Sequence, residues 1–162
     1  MGVNPLDGPA ARALRERVAR SKIRRSDRGS PQKGQVWEAA IFAAHHKLSR
    51  LVAIVDRNGY QLDGAVDDVI GIESLVDKWS AFGWETHEVD GHNLSDLTAL
   101  LRRVKADTSR RKPCCIVART VKGKGVSYME TEPGWHLGYL DPSDAELARQ
   151  EILAREIEAV NP

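Results

Sequence analysis

The chain has 162 residues, 41% of them hydrophobic, which is enough for one buried core and predicts a single domain. Its net charge of +1 is unevenly spread: residues 1–33 carry nine Lys/Arg and three Asp/Glu, a net +6, and residues 34–162 carry 15 and 20, a net −5. There is no apolar run near twenty residues and no charged-then-apolar leader. We therefore expect a soluble, cytoplasmic protein without a membrane partner.

Residues 1–33 are predicted to form a basic N-terminal arm that is disordered or helical. Propensity favours a helix over residues 10–25, where Leu14 and Val18 make one convincing apolar pair. A basic helix of this kind could contact RNA, DNA or an acidic partner. Since no aromatic side chain is interleaved for base stacking, we favour a solvated arm and do not expect nucleic acid binding.

Residues 34–64 predict a helix, a buried strand and a glycine-punctuated loop. The apolar stripe of the helix comprises Trp37, Ile41, Ala44 and Leu48. Leu51–Val55 is an apolar, β-branched run, typical of a strand buried on both faces of a parallel sheet. It leads into Asn58-Gly59 at the carboxyl end of the strand, where open α/β sheets bind ligands. Taken alone, Asn58-Gly59 is also typical of an ordinary turn.

Helices and apolar strands alternate along the rest of the chain. The predicted elements are a helix over Glu73–Phe82 ended by Gly83, a strand over Trp84–Val89, a helix over Leu94–Asp107 capped by Asn93, a strand over Pro113–Ala118, and a surface helix over Ala145–Val160. This alternation implies parallel strands joined by right-handed crossovers, which is an α/β fold. We expect about three main parallel strands, with one edge of the sheet uncovered.

A second glycine-rich loop follows the strand over Pro113–Ala118. Its backbone amides, with Lys122 and Lys124, could approach a phosphate, although flexible basic loops are also common. The adjacent cysteines, Cys114 and Cys115, should be reduced and buried, because successive side chains of a strand point to opposite faces.

Among the histidines, His136 follows this loop and is the best candidate for a ligand contact. We expect a packing or surface role for His45 and His46. His87 and His92 lack a partner pattern for zinc.

Four phrases, in order and with suitable gaps, carry a family resemblance: GQVWEAA from residue 34, IVDRNGYQLDG from residue 54, TVKGKGVSYME from residue 120, and Trp135-His136. From residue 34 to about residue 150, the chain resembles the diphosphate-binding domain of transketolase. The resemblance implies that residues 34–162 form a partial three-layer α/β sandwich with a mostly parallel sheet, the thiamin diphosphate-binding fold. It also implies thiamine diphosphate as cofactor and transfer of a two-carbon ketol unit between sugar phosphates.

The resemblance also assigns roles to particular residues. Asn58 would give its side-chain oxygen, and Tyr60 its backbone carbonyl, to Mg²⁺ or Ca²⁺. Lys122 would lie near the cofactor phosphates, as would the backbone of Gly29 and the side chain of His136. Two further roles are catalytic: His136 would also contact substrate, and Glu38 matches a family glutamate near the cofactor and the subunit boundary.

Residues 26–33 depart from the family, which has Gly-Asp-Gly-Glu-x-x-Glu there. In an ungapped alignment, Arg28 stands where the family has its metal-binding aspartate, and Lys33 where it has a glutamate. A guanidinium stays charged and repels a cation, so either Arg28 binds the diphosphate directly or the site is inactive. The metal is the least secure part of the cofactor prediction.

Two hypotheses from different classes follow. In the first, the chain is a transketolase-like subunit or fragment that needs a second subunit or a homo-oligomer, because nothing here resembles the domain that binds the aminopyrimidine ring. In the second, it is a non-catalytic interaction module that keeps the fold with a degenerate metal site. A related thiamine-dependent reaction, such as ketoacid decarboxylation, is a weaker third.

Overall fold

A computed structural model describes residues 25–26, 32–61, 64–130, 132–136 and 138–160. Only the backbone is described for Arg25, Ser26, Pro133, His136 and residues 156–160. Most of the predicted arm lies outside the described residues, and so do Arg28 and Gly29. The boundary at residue 33 stays a prediction.

The described helices and strands are β1 (Arg25–Ser26), α1 (Gly34–His45), β2 (Val52–Arg57), β3 (Tyr60–Gln61), β4 (Gly64–Ala65), α2 (Val66–Ile70), α3 (Leu75–Ala81), β5 (Glu85–Asp90), α4 (Leu94–Ala106), β6 (Cys114–Arg119), a 3₁₀ helix (Pro133–His136) and α5 (Pro142–Val160). The helices and strands predicted from residue 34 on occur in the predicted order, and five further short elements accompany them: β1, β3, β4, α2 and the 3₁₀ helix. The chain divides into two compact units, residues 1–56 with 72–119 and residues 57–71 with 120–162. We call these the first and the second unit.

The main sheet has the strand order β1-β2-β6-β5 in the described part of the chain. The outer pairs, β1 with β2 and β5 with β6, are parallel. Between β2 and β6, the Leu51 carbonyl accepts from the Cys114 N–H at 3.0 Å and the Arg57 carbonyl from the Thr120 N–H at 3.2 Å. Both hydrogen bonds advance in the same chain direction, so these strands are parallel too. The predicted α/β class is confirmed.

One edge of the sheet was predicted to be uncovered, and the edge beside β2 is covered in part by a short strand, β1. Arg25 pairs with Ile54, and Ser26 pairs with Val55. The helix predicted over residues 10–25 is therefore wrong at Arg25, and its other residues lie outside the described part. Helix propensity is a weak prior, and the open backbone donors and acceptors of an edge strand outweigh it here.

Side chains of the sheet alternate between two apolar clusters of the first unit. Val55, Cys115 and Val117 join one cluster with residues of α1 and α3, including Ala40 and Trp79. On the other face, Cys114 and Ile116 join Val104 of α4. Helices thus cover both faces of the sheet, as the predicted three-layer sandwich requires.

The most deeply buried strand is β6 and not β2, for which burial on both faces was predicted. Cys114 to Ala118 are all at most 4% exposed, whereas Val55 is the one fully buried residue of β2. The reason is position in the sheet: β6 has six-residue neighbours on both sides, and β2 has only two-residue β1 on its outer side.

The apolar stripe predicted for α1 is corrected at two positions. Trp37 and Ala44 do pack against the core, but Ile41 is 53% exposed. Leu48 also packs against the core, but it follows the helix, which ends at His45. The place of Ile41 is taken by two alanines, which are 1% and 2% exposed, Ala40 and Ala43. Small side chains let α1 approach closely, and the Trp84 indole N–H donates to the Ala40 carbonyl at 2.9 Å. The helical period predicted the face, but not that the smallest residues lie at its centre.

Hydrogen bonds and backbone angles mark the helix ends of the first unit. The Asn93 side chain caps α4 as predicted, by accepting from the Asp96 N–H at 3.1 Å. Ser74 caps α3 by accepting from the Asp77 N–H at 3.3 Å, so this helix begins after Ser74 and not at Glu73. Gly83 follows α3 with φ +89°, the left-handed conformation that favours glycine after a helix.

The second unit contains a small hairpin, the short helix α2, the 3₁₀ helix, loops and α5. Strands β3 and β4 pair antiparallel, Tyr60 with Ala65 and Gln61 with Gly64. Before α5, the Asp141 carboxylate accepts from the Asp144 N–H at 2.9 Å and from the Ser143 hydroxyl at 2.7 Å. Exposed apolar residues place α5 on the surface, as predicted: Leu147, Ile152 and Leu153. In the part of the chain that the structure describes, no helix is long and apolar enough to cross a bilayer.

Candidate cofactor site

The loop after β2 is organised by Asn58. Its side-chain oxygen accepts from the Tyr60 N–H at 2.9 Å, which closes a tight turn around Gly59. Gly59 has φ +77°, and its carbonyl accepts from the Val66 N–H at 2.9 Å. A carbonyl oxygen has two lone pairs, so Asn58 keeps one acceptor position beyond the turn.

Asn58 and Tyr60 offer a cation the right kind of atom. Carbonyl oxygens are the ligands that Mg²⁺ and Ca²⁺ prefer, and this loop supplies one from the Asn58 side chain and one from the Tyr60 backbone. Both are neutral, and among the described residues no group of three or more His, Cys, Asp or Glu side chains could hold a metal. The donor set fits a cation that brings its own counter-charge, such as one already bound to a diphosphate.

The glycine-rich loop after β6 begins beside this turn, where Thr120 donates to the Arg57 carbonyl at 3.2 Å. Gly123 has φ +75°, and a Cβ placed there would lie 2.4 Å from the Met129 carbonyl oxygen. Glycine is therefore needed at residue 123 because the loop folds back on its own backbone. A ligand is not required to explain it.

Lys122 and Lys124 belong to this loop but have different partners. Lys122 Nζ donates to the Glu132 carbonyl at a distance of 3.4 Å. Lys124 Nζ lies 3.5 Å from Oε1 of Glu130, a carboxylate of the same loop.

Helix α5 holds the glycine-rich loop by charged hydrogen bonds. The Ser127 N–H and hydroxyl donate to the Glu151 carboxylate at 2.6 and 2.5 Å, and Arg155 lies 3.3 Å from Glu130. The Ser127 hydroxyl and amide hold the pKa of Glu151 below its usual value. Sequence reasoning missed Glu130, Glu151 and Arg155, because the alternating charges of α5 indicate a solvated face without saying which charge meets a loop.

The other candidate residues have the following places. Tyr60 and Lys122 belong to the second unit with Asn58, and so does the backbone of His136, whose side chain is outside the described part. Glu38 is an exposed residue of α1, in the first unit. Gly29 lies outside the described residues.

The side chains of three other histidines, His45, His46 and His87, contact neighbouring side chains. His87 Nε2 lies 2.8 Å from Glu85 Oε1. The rings of His45 and His46 are 4.9 Å apart, and His46 lies 4.2 Å from the ring of Phe42, in keeping with the predicted packing or surface role.

The two cysteines are free and buried, as predicted. Burial raises the pKa of Cys114 to about 11, and burial also raises that of Cys115. Neither thiol is suited to act as a nucleophile.

Comparison with known proteins matches residues 26–155 to the family "Transketolase, thiamine diphosphate binding domain". The chain is 39% identical over 127 residues to an apulose-4-phosphate transketolase subunit of Phocaeicola vulgatus, covering 78% of this chain and 44% of that protein. It is 39% identical over 108 residues to the 6-deoxy-6-sulfo-D-fructose transketolase subunit SqwG of Clostridium sp. strain MSTE9, covering 67% and 38%. The chain thus spans less than half the length of either relative.

Among solved structures, the transketolase of Campylobacter jejuni superposes with a TM-score of 0.73 at 26% identity. The superposition covers 80% of this chain and 20% of that one.

Proposed function

Because this chain belongs to the family of transketolase thiamine diphosphate binding domains, we propose that it is the diphosphate-binding part of a two-subunit transketolase. The reaction would transfer a two-carbon ketol unit between sugar phosphates, together with a second subunit. The bacterial relatives named as transketolase subunits support this division of labour. The observation that carries the proposal is the Asn58 turn, which presents an amide oxygen at the carboxyl end of β2.

In this proposal, bound thiamine diphosphate supplies the nucleophilic carbon of ketol transfer, and this chain's residues bind and orient the diphosphate. Asn58 and the Tyr60 carbonyl would hold a Mg²⁺ or Ca²⁺ ion on the diphosphate. Lys122 would add a positive charge near the phosphates, with the Gly29 backbone close by. His136 would contact the diphosphate or the substrate, and Glu38 would act near the boundary with the partner.

Calorimetry with thiamine diphosphate, with and without Mg²⁺, tests the binding step. We expect saturable binding that requires the metal. Mixing the chain with a transketolase-type second subunit then tests the reaction, and ketol transfer should exceed what the partner achieves alone. A chain that binds no cofactor and adds no turnover would contradict the proposal.

The alternative is a non-catalytic interaction module. It is favoured by Arg28 and Lys33, which put positive charge where the family has carboxylates, and by the lack of a charged metal cluster among the described residues. Arg28→Asp separates the two. If residues 26–33 approach Asn58, a new carboxylate should strengthen metal-dependent cofactor binding by up to a few kcal/mol, since unit charges 4 Å apart interact by about 4 kcal/mol at an effective dielectric of 20, less the desolvation cost.

Arg28→Asp combined with Lys33→Glu should strengthen binding further than either change alone. Unchanged affinity in both variants would remove residues 26–33 from the cofactor site and favour the module.

A partner chain is also part of the proposal. Helix α1 exposes Ile41 by 53% and Phe42 by 46%, beside the candidate residue Glu38. Covering one such side chain stabilises an association by roughly 1.5–3 kcal/mol. Sedimentation at tens of micromolar should show self-association, or a complex once the second subunit is added. A strictly monomeric species under both conditions would contradict this.

A further inference from the structure

The glycine-rich loop contains an anion of its own. Its backbone makes two successive turns, with Val126 donating to the Gly123 carbonyl at 3.1 Å and Glu130 donating to the Val126 carbonyl at 3.0 Å. These turns bring the Glu130 side chain back onto Gly125, five residues earlier. Val126, between them, is 7% exposed and anchors the loop.

One carboxylate oxygen of Glu130 meets three donors. Oε1 accepts from the Gly125 N–H at 3.1 Å and from Arg155 Nη1 of α5 at 3.3 Å, and Lys124 Nζ lies 3.5 Å away. A backbone amide in a glycine-rich turn, a lysine and an arginine are the groups from which proteins build phosphate sites. The Gly125 N–H, followed by Lys124 and Arg155, holds the pKa of Glu130 below its usual value.

We propose that Lys124, the Gly125 amide and Arg155 form a phosphoryl-binding site that Glu130 keeps closed by occupying it as an internal anion. A phosphate and this carboxylate compete for the same donors, so an external phosphate enters only when Glu130 is displaced or neutralised. Arg155 reaches this loop from α5, 25 residues further along the chain, so the site is assembled by folding and not by the loop sequence alone.

The closed site gives Lys124 a partner that the loop itself supplies, because Lys124 Nζ lies 3.5 Å from Glu130 Oε1. The closed site does not rest on the proposed function.

The direct test titrates inorganic phosphate into the full chain by calorimetry at low ionic strength. Glu130→Gln keeps the size of the side chain and removes the competing charge, so it should bind phosphate roughly tenfold more tightly than the wild-type chain. Glu132→Gln is the matched control. It removes one negative charge two residues along the chain from Glu130, and the Glu132 side chain accepts from the Gly134 N–H and not from Gly125. This variant should behave like wild type.

Adding Lys124→Met to Glu130→Gln should abolish the gain. Equal phosphate affinity in Glu130→Gln and Glu132→Gln would overturn the closed site, and so would a gain that survives Lys124→Met.

A second measurement uses the wild-type chain and does not depend on the folding of a variant. Inorganic phosphate is added at high concentration, and the amide resonances of the loop are followed by NMR. Phosphate that competes with Glu130 should shift the Gly125 N–H, and the Ser127 N–H, which Glu151 binds, should stay in place. A Gly125 resonance that does not move would overturn the proposal. Neither measurement uses thiamine diphosphate, so both decide the role of Glu130 even where the proposed function fails.

Discussion

Two loops follow adjacent parallel strands, and they differ in how they are held. In the loop after β2, the Asn58 side-chain oxygen closes a turn by accepting from the Tyr60 N–H. The loop after β6 is held by two carboxylates of its own unit, Glu130 and Glu151, which accept from its backbone amides. The first loop leaves an acceptor position on Asn58 for a ligand, whereas the second has already used several of its donors.

This contrast shows what glycine-rich sequence does and does not predict. Lys-Gly-Lys-Gly indicates a phosphate cradle by composition, yet Gly123 is explained by the approach of Met129. Asn58-Gly59 indicates an ordinary turn by composition, and it is a turn, but one that presents an oxygen at the carboxyl end of a strand. The position of a turn in the sheet says more about ligands than its glycine content.

The largest expected effect compares the glycines of the two loops. Gly123 and Gly59 have nearly the same φ, +75° and +77°, but only at Gly123 would a Cβ meet backbone within 3 Å. Gly59→Ala should cost about 1 kcal/mol of unfolding free energy for the left-handed conformation alone. Gly123→Ala adds a clash with Met129 and should cost roughly 3 kcal/mol. Urea denaturation measures both.

Equal losses in the two alanine variants would mean that the loop after β6 can relax away from Met129. In that case the loop after β6 would be no more rigidly held than the loop after β2.

The next prediction concerns the loop after β2. Asn58→Ala removes the proposed cation ligand, and even the loss of a partner of a metal ligand typically lowers affinity about 10–100-fold, so affinity for thiamine diphosphate with Mg²⁺ should fall roughly tenfold or more. Asn93→Ala is the control, because Asn93 caps α4 by the same side-chain contact to a backbone N–H. It should lower stability by about 1 kcal/mol and leave cofactor affinity unchanged.

Calorimetry and urea denaturation of both asparagine variants give the two readouts. If the Asn58→Ala chain binds the cofactor as tightly as wild type does, Asn58 closes the turn but does not bind the cation.

The contrast between the loops also shows how far the sequence leads. Local features of the sequence, its periodicity and turn chemistry, predict the order of the main helices and strands and the parallel sheet. They also predict that Gly83 follows α3 and that Asn93 caps the start of α4. What the sequence missed depends on tertiary position: β1 forms because β2 has an open edge, and Ala40 replaces Ile41 because α1 packs closely.

The candidate site divides in the same way. The turn at Asn58 could be predicted because the partner of its side chain, Tyr60, is two residues away. The contacts of Ser127 with Glu151 and of Glu130 with Arg155 could not, because the partners are 24 and 25 residues apart and are chosen by how α5 packs.

A smaller effect is expected where α5 meets the closed loop. Glu151→Gln weakens both hydrogen bonds from Ser127, so it should lower the denaturation midpoint and speed amide exchange at Ser127. Glu146→Gln is the control on the same helix, because Glu146 is bonded to its neighbours Arg149 and Gln150 and not to the loop. Unchanged exchange at Ser127 in Glu151→Gln would show that the Glu151 carboxylate does not hold the loop.

The smallest effect is the pH dependence of this attachment. The Ser127 hydroxyl and amide lower the pKa of Glu151 from its ordinary 4.5, and the Gly125 N–H, Lys124 and Arg155 do the same for Glu130. A carboxyl whose pKa is lower in the folded state contributes stability that is complete above its unfolded pKa and is lost as the pH falls through the folded value. The stability difference between wild type and Glu151→Gln should therefore be constant at neutral pH and shrink below about pH 4.5. Denaturation midpoints of both chains, measured from pH 7 down to pH 3, give this difference directly. A difference that stays constant down to the lowest pH would mean that the Glu151 carboxylate is not bound to Ser127 in solution, and Glu130 would then be the one carboxylate left of the two that hold the loop after β6.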